Sequence, residues 1–504
     1  MKKILLLFCV ATLVMLVSCG DTTTEQTTYT TNETTTQQIT TTLPNTTIST
    51  EYISTNMDEY IAGLSNPYNI NLCVTEDLST SIAINFEMPE DTIAYVEYSV
   101  SGLDFFETLQ TTKKTITFDN ETVYLHEATM DNLTPGTTYE YRIRNDSGTE
   151  VSDFYEFETI DNTDDEHTIM FLADPQENSE LGYKAYAYSV QYVLNHTNID
   201  YDLVMSPGDL IQDSEDRNEW NWYFQYSSIF SFNKPTAATI GNHEMKPIED
   251  DKINSLEFDG YFNLPNNGPT YLEFDELFRD YRATNFDDGK TYSFDIGEAH
   301  IVVVDSETYC DGSTACIFYD HINVQRLNSW IRNDLENSTA RWKIVMLHRG
   351  PYGLSYDTPS VRSNLTQIMD DYNVDLVIAG HEHQYSRAIY KEGDLVPFAR
   401  SNNYLKGTIS LIIDDPLDLY FNNYSSAIGV TYLTSNTVAT KFYGDSKDSE
   451  IEVNYGFSDE TPVIPIITIT ENSINVISYG LNKRYAYDVK PFGVFILDEF
   501  TITK

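Results

Sequence analysis

The sequence is short of bases. Thirty Lys and Arg stand against 78 Asp and Glu, for a formal net charge of −48. A polyanionic partner needs a basic face, so the chain is read as having no nucleic-acid-binding surface. The acidity itself fits a soluble, self-repelling exterior. An anionic substrate must then be drawn by a local positive site rather than by the field of the whole molecule. Cysteine is scarce too, with five in 504 residues, which excludes a scaffold held mainly by disulfides. Apart from the first twenty residues, no apolar run is long enough to suggest a membrane span. Histidine is also rare, yet two of the nine fall within "IAGHEHQY", Ile378 to Tyr385.

The N-terminus reads "MKKILLLFCVATLVMLVSCG". Lys2 and Lys3 precede an apolar core of secretory-signal length, too short for a comfortable span. Its end, "LVSC", resembles a bacterial lipobox. That resemblance implies a signal peptide over residues 1–18 and lipidation at Cys19. The expected location is the extracellular face of the bacterial cell membrane, with a lipid anchor as the sole membrane contact. Residues 19–58 are dominated by threonine and poor in apolar side chains, which predicts a disordered stalk. Cys310 and Cys316 enclose "DGSTA"; a local disulfide and two free thiols both remain open.

Two folded regions follow, so the expected class is multidomain. Over 59–160, "SIAINFEM", "AYVEYSV", "TYEYRIR" and "FYEFET" are short strand-like runs separated by turn signals, the pattern of an all-β sandwich. "LTPGTTYEY", Leu133 to Tyr141, resembles a fibronectin type III module, in which Tyr139 would tie down a corner. Over 161–504, apolar runs alternate with helix-sized segments such as "GYKAYAYSVQYVLNHT" and "NVQRLNSWIRNDLEN", the pattern of an α/β domain.

In this second region each apolar run delivers a polar residue at its end. "HTIMFLADPQ" delivers Asp174, "YDLVMSPGDLIQD" Asp209, and "PTAATIGNHE" Asn242 and His243. "RWKIVMLHRGPY" delivers His348, and "VDLVIAGHEHQY" His381 and His383. Ligand sites of α/β sheets lie at that edge. Carboxylates and imidazoles without thiolates suit catalytic Zn, Fe or Mn rather than a structural zinc. A metal pair needs a shared carboxylate, and Asp209 in the tight "PGD" turn is the natural bridge. An extended segment after Gly380 would point His381 and His383 the same way and Glu382 elsewhere.

"DPQ", "GDLIQD", "GNHE", "MLHRGPY" and "GHEHQY", in this order, resemble the calcineurin-like metallophosphoesterase superfamily, and its purple acid phosphatase-like branch in particular. The resemblance implies a four-layer αββα sandwich behind a fibronectin-like module. It places Asp174 and His383 on a first metal, Asn242, His348 and His381 on a second, and Asp209 between them. His243 would act as the catalytic residue beside the substrate, and the neighbouring Arg349 is a candidate for binding a phosphate oxygen. Many relatives have histidine where this chain has Gln176, which either ligates through its amide oxygen or only hydrogen-bonds. The purple enzymes have tyrosine where this chain has Gln212, so a divalent metal is favoured over Fe(III) and no purple colour is expected.

The implied reaction is hydrolysis of a small phosphate monoester by a metal-activated hydroxide. Cleavage of phosphodiesters or nucleotides at the same site is the alternative. A tethered binding protein without activity is a third reading. Tyr352 and Tyr385 are possible cleft residues. His126, His167, His196, His300, His321 and Asp305 are read as structural.

Overall fold

The structure is a computed structural model. It describes residues 57–118, 121–248, 252–269, 290–309, 321–355, 358–396, 422–443, 452–457, 460–484 and 488–504. The signal peptide, Cys19, the stalk up to residue 56 and the loop carrying Cys310 and Cys316 lie outside the described residues. Met57 and Asp58, assigned to the stalk by composition, are described with the folded body. Met57 is buried, and Asp58 accepts a hydrogen bond from Tyr188 Oη at 2.7 Å. An apolar side chain with a packing partner draws these two residues into the folded body.

The N-terminal module is a β-sandwich. One face is the four-stranded sheet in which Ala94–Val100 lies between Glu107–Gln110 and Thr138–Asn145, with Tyr155–Glu158 beyond. The opposing strands are Asn71–Cys73, Ile82–Met88, Glu121–Met130 and Thr112–Phe118. Alternation along Thr138–Asn145 turns Tyr139, Tyr141 and Ile143 inward, as the period-2 pattern requires. Tyr139 makes the corner expected of it, its hydroxyl accepting from Thr134 N at 2.9 Å.

This module and the α/β region are joined by one sheet. Asn71–Cys73 pairs in parallel with Thr236–Ala238, with Cys73 opposite Thr236. The result is an eleven-stranded sheet running from the sandwich through Thr236–Ala238, Leu203–Ser206 and Glu166–Phe171 to the antiparallel strands Val463–Thr470, Ser473–Asn482 and Gly493–Thr503. Tyr155 stacks on Phe232 with ring centroids 4.2 Å apart, and Arg217 pairs with Glu87 across the same junction.

A second sheet orders Tyr292–Ile296, Ala299–Val304, Trp342–Arg349, Leu376–Gly380, Val430–Thr434 and Tyr385–Lys391. Its strands read as nearly continuous apolar runs because both faces are covered. Ile301, Val303, Ile344, Met346, Leu376 and Ile378 pack in the large core shared with the first sheet. Val302, Val304, Val345, Leu347 and Val377 pack instead with Leu327 and Ile331 of helix His321–Asn337 and Leu365 and Ile368 of helix Pro359–Asp371. Helices Glu180–Thr197 and Arg217–Ser227 lie in the large core with the first sheet. The order helix, sheet, sheet, helix is the four-layer sandwich that the motif resemblance implied. Between the sheets, buried Arg387 forks onto both oxygens of Asp498 at 2.8 and 3.0 Å, a bidentate pair.

Candidate metal centre

The motif residues gather where five strands end. Asp174, Asp209, His381 and His383 all have positive φ, at 48°, 51°, 70° and 48°. They are four of the nine non-glycine residues with positive φ among those described, and such strain collects at functional sites. The extended segment predicted after Gly380 is absent. Strand Leu376–Gly380 ends there, the next begins at Tyr385, and left-handed turns at His381 and His383 aim the two imidazoles. Glu382 does face elsewhere, accepting from Ser355 N. Glycine is required beside these turns. A Cβ on Gly241 would lie 2.2 Å from Asp209 Oδ1, and one on Gly380 2.5 Å from Asp174 Oδ2.

Two clusters share one carboxylate. Asp209, His348 and His381 form the first group of converging ligand atoms, and Asp174, Asp209 and His383 the second. His348 Nε2 lies 3.3 Å from Asp209 Oδ2, 3.3 Å from Asn242 Oδ1 and 3.2 Å from His381 Nδ1. A carboxylate and an amide oxygen present only lone pairs, so their convergence on imidazole nitrogens is the donor set a cation takes. His383 Nε2 lies 3.9 Å from Asp174 Oδ1. The residues therefore fit a metal pair bridged by Asp209.

The charges carry the same message. Burial pushes the Asp174 carboxyl up to about 7, with His348 opposing and Asp209 adding to the rise. Burial also raises Asp209, but His348, His243 and His381 together hold it well below the ordinary range. Buried carboxylates crowded in this way call for cations.

Other groups hold the loops in place. Glu244, fully buried, accepts from Asp209 N at 2.9 Å, Leu210 N at 2.7 Å and Gly241 N at 2.6 Å, tying the two motif turns together. His381 N donates to Asp174 Oδ1 at 2.9 Å. His243 N donates to Asp209 Oδ1 at 2.9 Å, and its ring Nδ1 lies 2.6 Å from the Gln212 carbonyl.

Several expectations need correcting. Arg349 does not stand ready for a phosphate. Its Nε donates to Glu307 at 2.7 Å and its NH1 lies 2.8 Å from His381 Nε2, because a buried guanidinium must find a counter-charge. Gln176 does not offer its oxygen to the clusters. Its Oε1 accepts from Lys441 Nζ at 2.7 Å, while its Nε2 lies 2.8 Å from Asp209 Oδ2 and 3.0 Å from His383 Nε2. Tyr352 stacks on Tyr390 at 3.7 Å, and Tyr385 is buried with its hydroxyl at Ser478 and Asp498, so both pack in cores. Asp305 has a structural part, its carboxylate accepting from Glu307 N beside Arg349.

Lys441 went unread in the sequence. It lies 265 residues beyond Gln176, in "TVATKFYG", where no motif marks it. The available signal was the pair of glutamines at positions where relatives carry ligands. Two amide oxygens in a buried site need a donor, and the Lys441 ammonium supplies it.

Comparison with known proteins follows the same division. Residues 67–159 match the purple acid phosphatase N-terminal domain and residues 167–385 the calcineurin-like phosphoesterase domain. Purple acid phosphatase 13 of Arabidopsis thaliana is 22% identical over 299 residues, covering 52% of this chain and 50% of that protein. Acid phosphatase type 7 of Danio rerio is 24% identical over 343 residues, covering 62% and 69%. The chain spans about half the length of the Arabidopsis relative. The solved purple acid phosphatase PPD1 from yellow lupin (Lupinus luteus) shares the fold at a TM-score of 0.61, with 16% identity over 87% of this chain and 75% of that one. The two clusters sharing Asp209 are candidate ligands for a metal pair. The match to the purple acid phosphatase N-terminal domain thus falls on the β-sandwich, and the match to the calcineurin-like phosphoesterase domain falls on the region that brings the two clusters together.

Proposed function

We propose that this protein is a metal-dependent phosphoesterase that hydrolyses small phosphate monoesters. One observation carries the reading: two clusters of buried ligand atoms share the carboxylate of Asp209. Asp174, Asp209 and His383 would hold one ion, and Asp209, Asn242, His348 and His381 the other. A metal pair bound there supplies Lewis-acid activation of water and charge neutralisation at phosphorus.

The chain's own residues do the rest. The Gln212 carbonyl fixes the His243 ring through Nδ1, which leaves Nε2 to carry a proton to the leaving oxygen. Burial of Asp174, Asp209, His348 and His383 strengthens the charge interactions among them. The local cation needed by an acidic protein is present in Lys441, whose Nζ lies 3.5 Å from His243 Nε2.

The test is hydrolysis by the full chain, freed of metal and then reloaded with Zn, Mn or Fe, on a panel of mono- and diesters across pH. Monoester turnover that disappears in Asp209→Asn and drops about 100-fold or more in His243→Ala with metal content unchanged supports the reading. Faster turnover of diesters would reassign the substrate class. Failure to bind metal would leave the non-catalytic reading.

The reading includes a lipid-anchored protein outside the cell, resting on Lys2, Lys3, the apolar run and Cys19. Mass analysis of the mature N-terminus checks it. Cys19→Ala should move the protein from membrane to soluble fractions, and an unmodified Cys19 in the wild type would refute it.

A further inference from the structure

Each cluster has a cation beside it. Behind the cluster of Asp209, Asn242, His348 and His381 stands Arg349, whose charge is balanced by Glu307 at 2.7 Å. Beside the cluster of Asp174, Asp209 and His383 stands Lys441, whose two closest partners are neutral amides. Its Nζ lies 2.7 Å from Gln176 Oε1 and 2.7 Å from Gln212 Oε1. Gln176 Nε2 in turn lies 2.8 Å from Asp209 Oδ2 and 3.0 Å from His383 Nε2. One neutral amide therefore separates an ammonium from the ligand atoms.

Lys441 is held in this position by its backbone. Thr437 Oγ1 donates to Asp174 O at 2.6 Å, Val438 N to Ala173 O at 2.9 Å, and Thr440 N to Glu177 Oε1 at 2.7 Å. The segment is thus sewn to the loop that carries Asp174 and Gln176. The Lys441 carbonyl accepts from His383 Nδ1, which turns His383 Nε2 to the cluster. One residue orients a ligand through its carbonyl and sets the local field through its side chain.

We propose that Lys441 is a built-in counter-charge at the Asp174–Asp209–His383 site, holding its metal affinity below what its two carboxylates would give. This rests on the metal-centre reading above. A cation entering this site meets the two carboxylates of Asp174 and Asp209, and also a fixed like charge one amide away. Lys441 thus offsets part of the attraction that the carboxylates supply. Lys441 is here a positioning residue that acts on affinity through Gln176 and the field.

The experiment is titration of the metal-free full chain with Zn²⁺ alone, followed by calorimetry and by metal analysis after gel filtration. The wild type should take up zinc in two steps. Lys441→Met should tighten one step by about tenfold or more and leave the other within about twofold. Lys441→Arg should keep the wild-type pattern, and His348→Ala should abolish the step that Lys441→Met leaves unchanged. No tightened step in Lys441→Met would overturn the proposal. If Lys441→Met loses its melting transition, Lys441→Gln decides. It removes the charge but keeps a polar side chain, and should tighten the same step; no change there also overturns the proposal. A wild type that takes up no zinc at all would instead defeat the metal-centre reading.

Discussion

The guanidinium of Arg349 stands 2.8 Å from His381 Nε2, on the far side of the imidazole from Nδ1, which faces His348. Glu307 holds the same guanidinium from behind. The three form a buried cluster at the edge of the site. Arg349→Ala should cost about 3 kcal/mol, because buried Glu307 loses the charge of Arg349. Denaturant titration checks it, and a variant as stable as the wild type would refute it.

His300 gives a pH-dependent test away from the metal centre. Its Nδ1 lies 2.6 Å from Asp295 Oδ1 and its Nε2 2.8 Å from Asp334 Oδ2. Burial opposes its charge, yet the two carboxylates hold it up at about 9, above the ordinary 6.5. A raised histidine stabilises the fold fully below its unfolded pKa and loses that contribution as pH rises through the folded value. His300→Gln should therefore be less stable than the wild type by about 2 kcal/mol at pH 6. The gap should narrow between pH 6.5 and 9. Melting curves across that range check it, and two parallel profiles would rule it out.

Gln212 sits where the purple enzymes have a tyrosine, and its side chain is engaged with Lys441 and His243. The iron-loaded protein should lack an intense visible charge-transfer band. Gln212→Tyr should gain one if the phenol reaches the iron. An absorption spectrum decides, and a purple wild type would be decisive against the assignment.

Arg217 ties the sandwich to the α/β region through Glu87, with Tyr261 Oη at 2.8 Å and Asn221 Oδ1 at 2.7 Å. Glu87 is buried enough that its carboxyl is raised despite Arg217. Arg217→Ala should cost about 3 kcal/mol by stranding Glu87. Because both regions share a sheet, unfolding should remain a single transition rather than splitting in two. Calorimetry checks this, and two separated peaks would refute the coupling.

The motif residues were legible because each follows an apolar run, and strand ends in α/β sheets are where sites form. Asp174, Asp209, Asn242, His348, His381 and His383 all lie together in the structure. The way His381 and His383 converge was not legible. Left-handed turns at non-glycine residues carry no local sequence mark, and alternation was the simpler reading. The partners of Arg349 were hidden for another reason: Glu307 lies in a separate segment with no motif of its own. Lys441 shows the same limit at longer range. Its contacts with Gln176 and Gln212 depend on a connection that only the folded chain makes. The division into two regions was read correctly from texture. Their common sheet was not, because Asn71–Cys73 is three residues long and pairs with a strand more than 160 positions away.

That short strand has a consequence for any attempt to isolate the second region. Cut away before residue 161, Thr236–Ala238 would lose the neighbour that accepts and donates along its outer side, including Val74 N to Thr236 O at 3.2 Å. A bare, apolar sheet edge of this kind invites other chains to pair with it. The N-terminal module thus works as a cover for that edge, and a truncated second half should be collected as aggregate rather than as an autonomous domain.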